Sequence, residues 1–354
     1  MVSYNSVISN AKELLLKQAK SLLGVFPMGS DRPKSSAPTM REVWLPENGQ
    51  RVALVRWFIT EWCNYRCPYC PQTHERRAPK GNGFTAHAFD NFPVEEWKDA
   101  FDRHFDDHRL SIVITGGEPM VDRQNMGKVL AHLTMKPNVE CIRIDTNAWW
   151  KPELFVGVDF RKIILMCTFH PSHTNEEEFK ERILVLKRAG VQIGMVNYVM
   201  SDDNVEAFKR RRDEFAELGL VLHPNPLWLS NGTYSDASLM VMADAIPDLD
   251  FRYRTGSDDP FGLQCSFPAV AYEVDYTGKV FVGCHPAEFG SFFDPELPAR
   301  PTSAVPCPFH SCVCLDKYSF LDGVERNLSL NPLAEYSKAL QHQHSSTAGE
   351  LLRP

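Results

Sequence analysis

The sequence predicts an α/β fold, a partial (β/α)6 barrel followed by a small Cys-rich C-terminal domain. From about residue 52, strand-like apolar runs and helix-like amphipathic stretches alternate through about six units. Such alternation means a parallel sheet covered by helices, with the site at the C-terminal ends of the strands. Six units rather than eight leave the barrel open or partial. After residue 260 the alternation fades into Cys-, Pro- and Gly-rich sequence. The layout that follows is an N-terminal amphipathic helix (1–27), a linker (28–50), the barrel (51–230), the Cys-rich domain (231–325) and a polar tail (326–354).

Each element has a sequence reason. In residues 5–26, Val7, Ile8, Ala11, Leu14, Leu15, Ala19, Leu22, Leu23 and Phe26 recur at helical spacing, while Lys12, Lys17 and Lys20 lie off that stripe. The plainer reading packs this helix on the domain; the other rests it on a membrane surface or a partner. "RVALVRWFIT" (51–60) is a strand, and the long loop 71–93 after it carries His74, Arg76, Arg77 and His87. Strands follow at 110–115, 140–147, 162–170, 191–200 and 220–228. Helices follow at 94–105, 122–134, 175–190 and 204–219, the last two closed by Gly190 and Gly219.

Composition narrows the function. The net charge, 38 − 45 = −7, argues against nucleic acid as the partner, since phosphate binding needs clustered Lys and Arg. No apolar run approaches the ~20 residues of a membrane span, and no signal-peptide pattern opens the chain, so a cytoplasmic location is expected. Ten cysteines in a reducing compartment point to metal or redox chemistry rather than disulfides.

The first strand runs into "EWCNYRCPYCPQ" (61–72), with Cys63, Cys67 and Cys70 spaced Cys-x3-Cys-x2-Cys. Three thiolates leave a four-coordinate metal one open position, as catalytic sites do. Zinc favours Cys-x2-Cys pairs; the observed spacing suits three corners of an iron–sulfur cube. The second strand ends in Gly116-Gly117-Glu118-Pro119, where glycines permit close backbone approach and Glu118 offers an anion to an ammonium.

Over residues 52 to 230 this pattern resembles the radical SAM enzymes, whose signature is Cys-x3-Cys-x-aromatic-Cys after the first strand of a partial (β/α)6 barrel. Cys63, Cys67, Tyr69 and Cys70 match it, and Gly116–Pro119 match the family's "GGEP" motif. The resemblance implies a 4Fe–4S cluster on the three cysteines. Its free iron would chelate S-adenosylmethionine, and one electron, from a flavodoxin- or ferredoxin-type reductant, would release methionine and a 5′-deoxyadenosyl radical. It also implies adenine near Tyr69 and cofactor or substrate contacts from Asp145, Thr146, Asn147, Thr168 and Asn197 at strand ends; an ordinary strand-end hydrogen bond is the alternative for Thr146 and Asn197. His170, His173 and His223 are candidates for proton transfer, or for binding a backbone carbonyl.

Of the other cysteines, Cys141 and Cys167 lie in predicted buried strands and read as small hydrophobes. Cys265, Cys284, Cys307, Cys312 and Cys314 all fall in the last quarter of the chain. Residues 265–284 read as a hairpin with a Thr-Gly turn and a cysteine at each end. This is similar to the opening of the SPASM and twitch domains that follow many such barrels, although Gly278 and Cys284 are separated by five residues where those domains usually have four. Four of the five cysteines would hold a second 4Fe–4S cluster; a closed four-cysteine zinc site is the alternative.

On the substrate side, Arg76 and Arg77 suit a phosphate or carboxylate, or are solvated. The first 50 residues are short for a peptide-recognition domain, which tilts the expectation toward oxidation or epimerisation of a small molecule. A peptide maturase of the same family and a non-catalytic iron–sulfur carrier or sensor are the competing readings.

Overall fold

A strand covered on both faces needs apolar residues nearly throughout, and β1 (Val52–Thr60) has them. Ala53, Val55, Trp57 and Ile59 pack into the layer under the helices, whereas Val52 and Leu54 belong to a second cluster on the opposite face. The computed structural model describes residues 51–67, 69–70, 86–226, 234–245, 259–312 and 320–321. The expected N-terminal helix and linker, the loop residues His74, Arg76 and Arg77, Cys314 and the polar tail lie outside the described residues.

After β1 come α1 (Val94–Phe105), β2 (Arg109–Gly116), α2 (Arg123–Met135), β3 (Val139–Thr146), β4 (Ile163–Phe169), α3 (Glu176–Arg188), β5 (Gln192–Met200), α4 (Val205–Glu217), β6 (Leu222–Pro226) and α5 (Asp236–Ala245). The strands β1 to β6 pair in sequence order, all parallel. The expected alternation is interrupted once: two short 3-10 turns, Pro152–Leu154 and Phe160–Lys162, join β3 to β4 in place of a helix. Caps set the helix ends. Asn175 accepts from Glu178 N at 2.8 Å to start α3, and Gly190, at φ +89°, follows its end.

α1 covers β1 with aromatic rings. Trp97, Phe101 and Phe105 recur every four residues and are buried, and Trp57 lies 4.7 Å from Trp97 and 5.5 Å from Phe101, centroid to centroid. Truncating any one of these rings to alanine would cost about 3–5 kcal/mol.

The Cys-rich segment joins this same sheet. It contains β7 (Gln264–Cys265), a helical turn Phe267–Val270, β8 (Ala271–Val274), β9 (Lys279–Val282), β10 (His285–Ser291) and β11 (Val305–Pro306). β8 runs parallel to β1 on its free edge, giving a nine-stranded order β10-β9-β8-β1-β2-β3-β4-β5-β6. The hairpin is shorter than the expected 265–284. Phe267–Val270 coil into the helical turn, with Pro268 in its first turn, and only Ala271–Val282 form the hairpin. Its turn uses the expected Thr-Gly pair: Asp275 accepts from Thr277 N at 2.8 Å, and Gly278 takes φ +76°.

That helical turn plugs the inner face of the sheet. Phe267, Val270, Ala271 and Phe320 pack with Val52, Leu54, Val113, Cys141 and Ile164, and Cys265 and Cys284 lie against this cluster. An ion pair reinforces the junction: Arg56 Nη1 on β1 meets Glu273 Oε1 on β8 at 2.6 Å, both side chains largely buried.

Candidate functional site

The three-cysteine loop leaves the C-terminal end of β1 and is fastened to its neighbours by backbone. Gly117 N donates to Thr60 O at 2.7 Å, and Glu118 N donates to Trp62 O at 2.7 Å. These bonds require glycine. A Cβ on Gly117 would stand 2.0 Å from Trp62 O, and one on Gly116, already at φ +137°, 2.2 Å from Thr60 O. The glycines of the motif therefore let the ends of β1 and β2 touch, which is a structural use beyond the ligand approach expected from sequence.

Glu118 is fully buried. Its Oε1 accepts from Thr146 Oγ1 at 2.7 Å and from Met120 N at 3.1 Å, and its Oε2 accepts from Asn147 N at 2.7 Å. Burial pushes its carboxyl up to about 7, against the pull of these donors. The side chain expected to meet an ammonium is thus engaged with three protein donors, and ties the end of β3 to the end of β2. Pro119 begins the 3-10 turn Pro119–Asp122 that Glu118 caps, its fixed φ suiting that position.

Asn147 carries the link onward. Its Nδ2 donates to Asn64 Oδ1 at 2.8 Å and lies 3.8 Å from Cys63 Sγ. Its Oδ1 is buried with no hydrogen-bond partner among the described residues. The next residue, Ala148, is fully buried at φ +63°, the one non-glycine of positive φ among the described residues. Backbone held in this region costs of order 1 kcal/mol and persists where its surroundings enforce it.

The cysteines themselves are sheltered. Cys63 Sγ accepts the backbone N–H of Tyr65 at 3.3 Å, and Cys70 N bonds Cys67 O at 3.0 Å in a turn. Burial pushes the Cys63 thiol up to about 12 and raises that of Cys67 as well. Such thiols are poor nucleophiles; a bound cation is what makes thiolates of them.

The histidines after β4 fold onto the loop. His170 Nδ1 lies 3.3 Å from Cys67 Sγ and 2.9 Å from Tyr69 Oη, and His173 stacks on Tyr65 at 4.7 Å. Burial pushes the His170 imidazole down to about 4, so it is neutral at pH 7. Tyr65, a residue that sequence reasoning missed, also accepts from Arg182 Nη1 at 3.2 Å. Trp149 lies between Arg123 and Arg182, each guanidinium 5.2 Å from the ring centroid.

Register aligns the remaining predicted contacts. Thr168 pairs with Asn197, and Asn197 pairs with His223, so the three stand abreast on β4, β5 and β6 and share one face. On β3, Arg143 grips Asp145 with two bonds, at 2.8 and 3.1 Å. His87 is buried, bridges to Thr60 and accepts from Phe89 N at 3.2 Å, so it caps the turn Ala88–Asn91.

Of the C-terminal cysteines, Cys265 pairs with Val305, two residues before Cys307, whose N and O bond Leu263 and Gly262. Cys284 reaches the same inner-face cluster as Cys265. Cys312 is half-buried. Cys141 and Cys167 are fully buried strand residues, as small hydrophobes would be. Among the described residues, no three Cys, His, Asp or Glu side chains converge as a single metal ion would require.

Residues 57–217 match the family model of the Radical SAM superfamily. No curated protein matches the sequence. Solved structures similar to it include native anSMEcpe with bound AdoMet and Kp18Cys peptide, at 12% identity over 69% of this chain and 78% of that one, TM-score 0.48. Another is BtrN in complex with AdoMet and 2-DOIA, at 15% identity over 70% and 75% of the two chains, TM-score 0.31.

The superfamily implies a 4Fe–4S cluster and S-adenosylmethionine, and the residues present fit both. Three thiols on one loop, two of them needing a cation to ionise, suit the cluster. The unpartnered Asn147 Oδ1 beside Cys63 suits a hydrogen-bond donor on a ligand bound there. No helix of the described residues is long and apolar enough to cross a membrane.

Proposed function

We propose that this protein is a radical SAM enzyme that abstracts hydrogen from a small polar molecule, an oxidation or epimerisation, with an auxiliary 4Fe–4S cluster held by its C-terminal cysteines. When bound and reduced by a flavodoxin- or ferredoxin-type donor, the cluster supplies the electron that cleaves S-adenosylmethionine into methionine and a 5′-deoxyadenosyl radical. The observation that carries the reading is the fastening of the Cys63–Cys70 loop to both Gly117–Glu118 and Asn147.

This chain's own residues have separable tasks. Cys63, Cys67 and Cys70 hold the cluster. Glu118 fixes Asn147, whose free Oδ1 accepts a hydrogen bond from the cofactor. Tyr69 flanks the adenine. Thr168, Asn197 and His223, abreast on three strands, bind hydroxyl or amine groups of cofactor and substrate, and Arg143 pairs with Asp145 on β3. Short neutral hydrogen-bonding side chains and a paired carboxylate favour a substrate rich in hydroxyls or amines over a strongly acidic one. Cys265, Cys284 and two of Cys307, Cys312 and Cys314 hold the auxiliary cluster, against the inner-face plug.

Anaerobic reconstitution with iron and sulfide, followed by electron paramagnetic resonance of the reduced protein, tests this reading. A 4Fe–4S signal that changes when S-adenosylmethionine is added is expected. A protein that binds no cluster, or whose signal ignores S-adenosylmethionine, contradicts it.

A further inference from the structure

We propose that His170 is a positioning residue that tunes the reduction potential of the cluster held by Cys63, Cys67 and Cys70, by donating its Nδ1–H to the Cys67 sulfur. The inference rests on the reading above and deepens it.

The geometry separates His170 from the other histidines. Its Nδ1 is 3.3 Å from Cys67 Sγ, inside hydrogen-bond range for sulfur, whereas His173 stacks on Tyr65 and His223 stands on β6. The imidazole is held on two sides: Tyr65 meets it edge-on at 5.6 Å and Tyr69 lies nearly parallel at 6.1 Å. Backbone bonds from His173 N and Thr174 N to His170 O fix the turn that presents it.

The proton's place follows from the partner. A cluster-bound cysteine is a thiolate and carries no proton, so a close Nδ1···Sγ approach is attractive only if Nδ1 bears the hydrogen. Tyr69 Oη, 2.9 Å from the same Nδ1, then accepts a share of that hydrogen and turns its own toward Cys67 or Ser172. Hydrogen bonds to the sulfurs are among the protein's means of setting such potentials. Reduction adds one electron, supplied by the donor, and concentrates negative charge on the ligand sulfurs. A donor aimed at Cys67 therefore stabilises the reduced form more than the oxidised one and raises the potential.

Asparagine and glutamine separate this role from a packing role. The amide nitrogen of asparagine can occupy the place of Nδ1, while the longer glutamine carries it past that place. The test is a redox titration, monitored by electron paramagnetic resonance without S-adenosylmethionine, of the cluster-loaded wild type and the His170→Asn, His170→Gln and His170→Phe variants. His170→Gln and His170→Phe are expected to lower the equilibrium constant for reduction about tenfold, ~59 mV for one electron, and His170→Asn to restore most of that loss. Equal potentials in all four proteins, or His170→Asn no better than His170→Gln, would overturn the inference. So would failure of every variant to hold a cluster that the wild type holds, which would make His170 an assembly residue. A wild type that binds no cluster overturns the radical SAM reading itself, a separate result read from iron and sulfide content.

Discussion

Glu118 Oε2 accepts the backbone N–H of Asn147 at 2.7 Å, while Glu118 N donates to Trp62 O at the same distance. One residue thus holds three strand ends together at the mouth of the barrel: the cysteine loop after β1, the glycine motif after β2 and the Asn147 turn after β3. Backbone bonds and a buried carboxylate tie these three strand ends to one another.

That carboxylate gives the fold a pH dependence. Burial raises the Glu118 pKa from 4.5 to about 7, so between these values the folded state binds more protons than the unfolded state. Its contribution is therefore complete below pH 4.5 and is lost as pH rises through about 7. The loss amounts to about 3 kcal/mol. In Glu118→Gln this loss should disappear: denaturant titrations at pH 5 and pH 8 should differ by less than in the wild type. An equal pH dependence in both proteins would place the effect elsewhere.

Gly117 should tolerate nothing larger. Gly117→Ala drives a Cβ to 2.0 Å from a carbonyl oxygen on the cysteine loop, and backbone must move. The expected result is loss of bound iron together with a clear fall in melting temperature. Gly190→Ala meets no atom within 4 Å and carries only the strain of φ +89°, a cost of about 1 kcal/mol with iron binding intact.

The cysteines divide by position. Cys63→Ala, Cys67→Ala and Cys70→Ala should each abolish the cluster that responds to S-adenosylmethionine. Cys141→Ala, on a fully buried strand, should keep it and lose about 1–2 kcal/mol of stability. Iron analysis and urea unfolding read the two effects separately.

The C-terminal set should act independently of the first. A Cys265→Ala, Cys284→Ala double variant should lose roughly half the iron of the reconstituted protein while the S-adenosylmethionine-responsive signal persists. Zinc in place of iron in the wild type, found by elemental analysis, would identify a structural metal site there instead.

Much of the barrel is legible in sequence because local signals agree. α1 falls on its expected residues 94–105, since Pro93 precedes it and Trp97, Phe101 and Phe105 mark its buried stripe. Asn175 and Gly190 bracket α3, and the strands lie within a residue or two of their expected bounds. The last of them, Leu222–Pro226, begins two residues inside the expected 220–228, of which 227–228 lie outside the described residues. What sequence does not reveal is long-range. The pairing of β8 with β1 joins Arg56 to Glu273, 217 residues apart, and no local pattern announces it.

The same distinction holds for the site. Cys63, Cys67, Cys70 and Gly116–Pro119 are visible because their chemistry lies in short spacing. Glu118's burial depends on the end of β3, His170's approach to Cys67 on the turn after β4, and Tyr65's role on Arg182 in α3. Each is a contact between separate strand ends, where a composition or period carries no record.

The proposed function requires above all that the Cys63–Cys70 loop drive cleavage of S-adenosylmethionine. The most direct measurement is 5′-deoxyadenosine formed by the anaerobically reconstituted, chemically reduced protein, beside a Cys63→Ala, Cys67→Ala, Cys70→Ala triple variant. We expect 5′-deoxyadenosine and methionine in equal amounts from the wild type and neither from the variant, with deuterium entering 5′-deoxyadenosine once a labelled substrate is found. A cluster-loaded wild type that leaves S-adenosylmethionine intact, or a variant that cleaves it equally, would contradict that role for the loop.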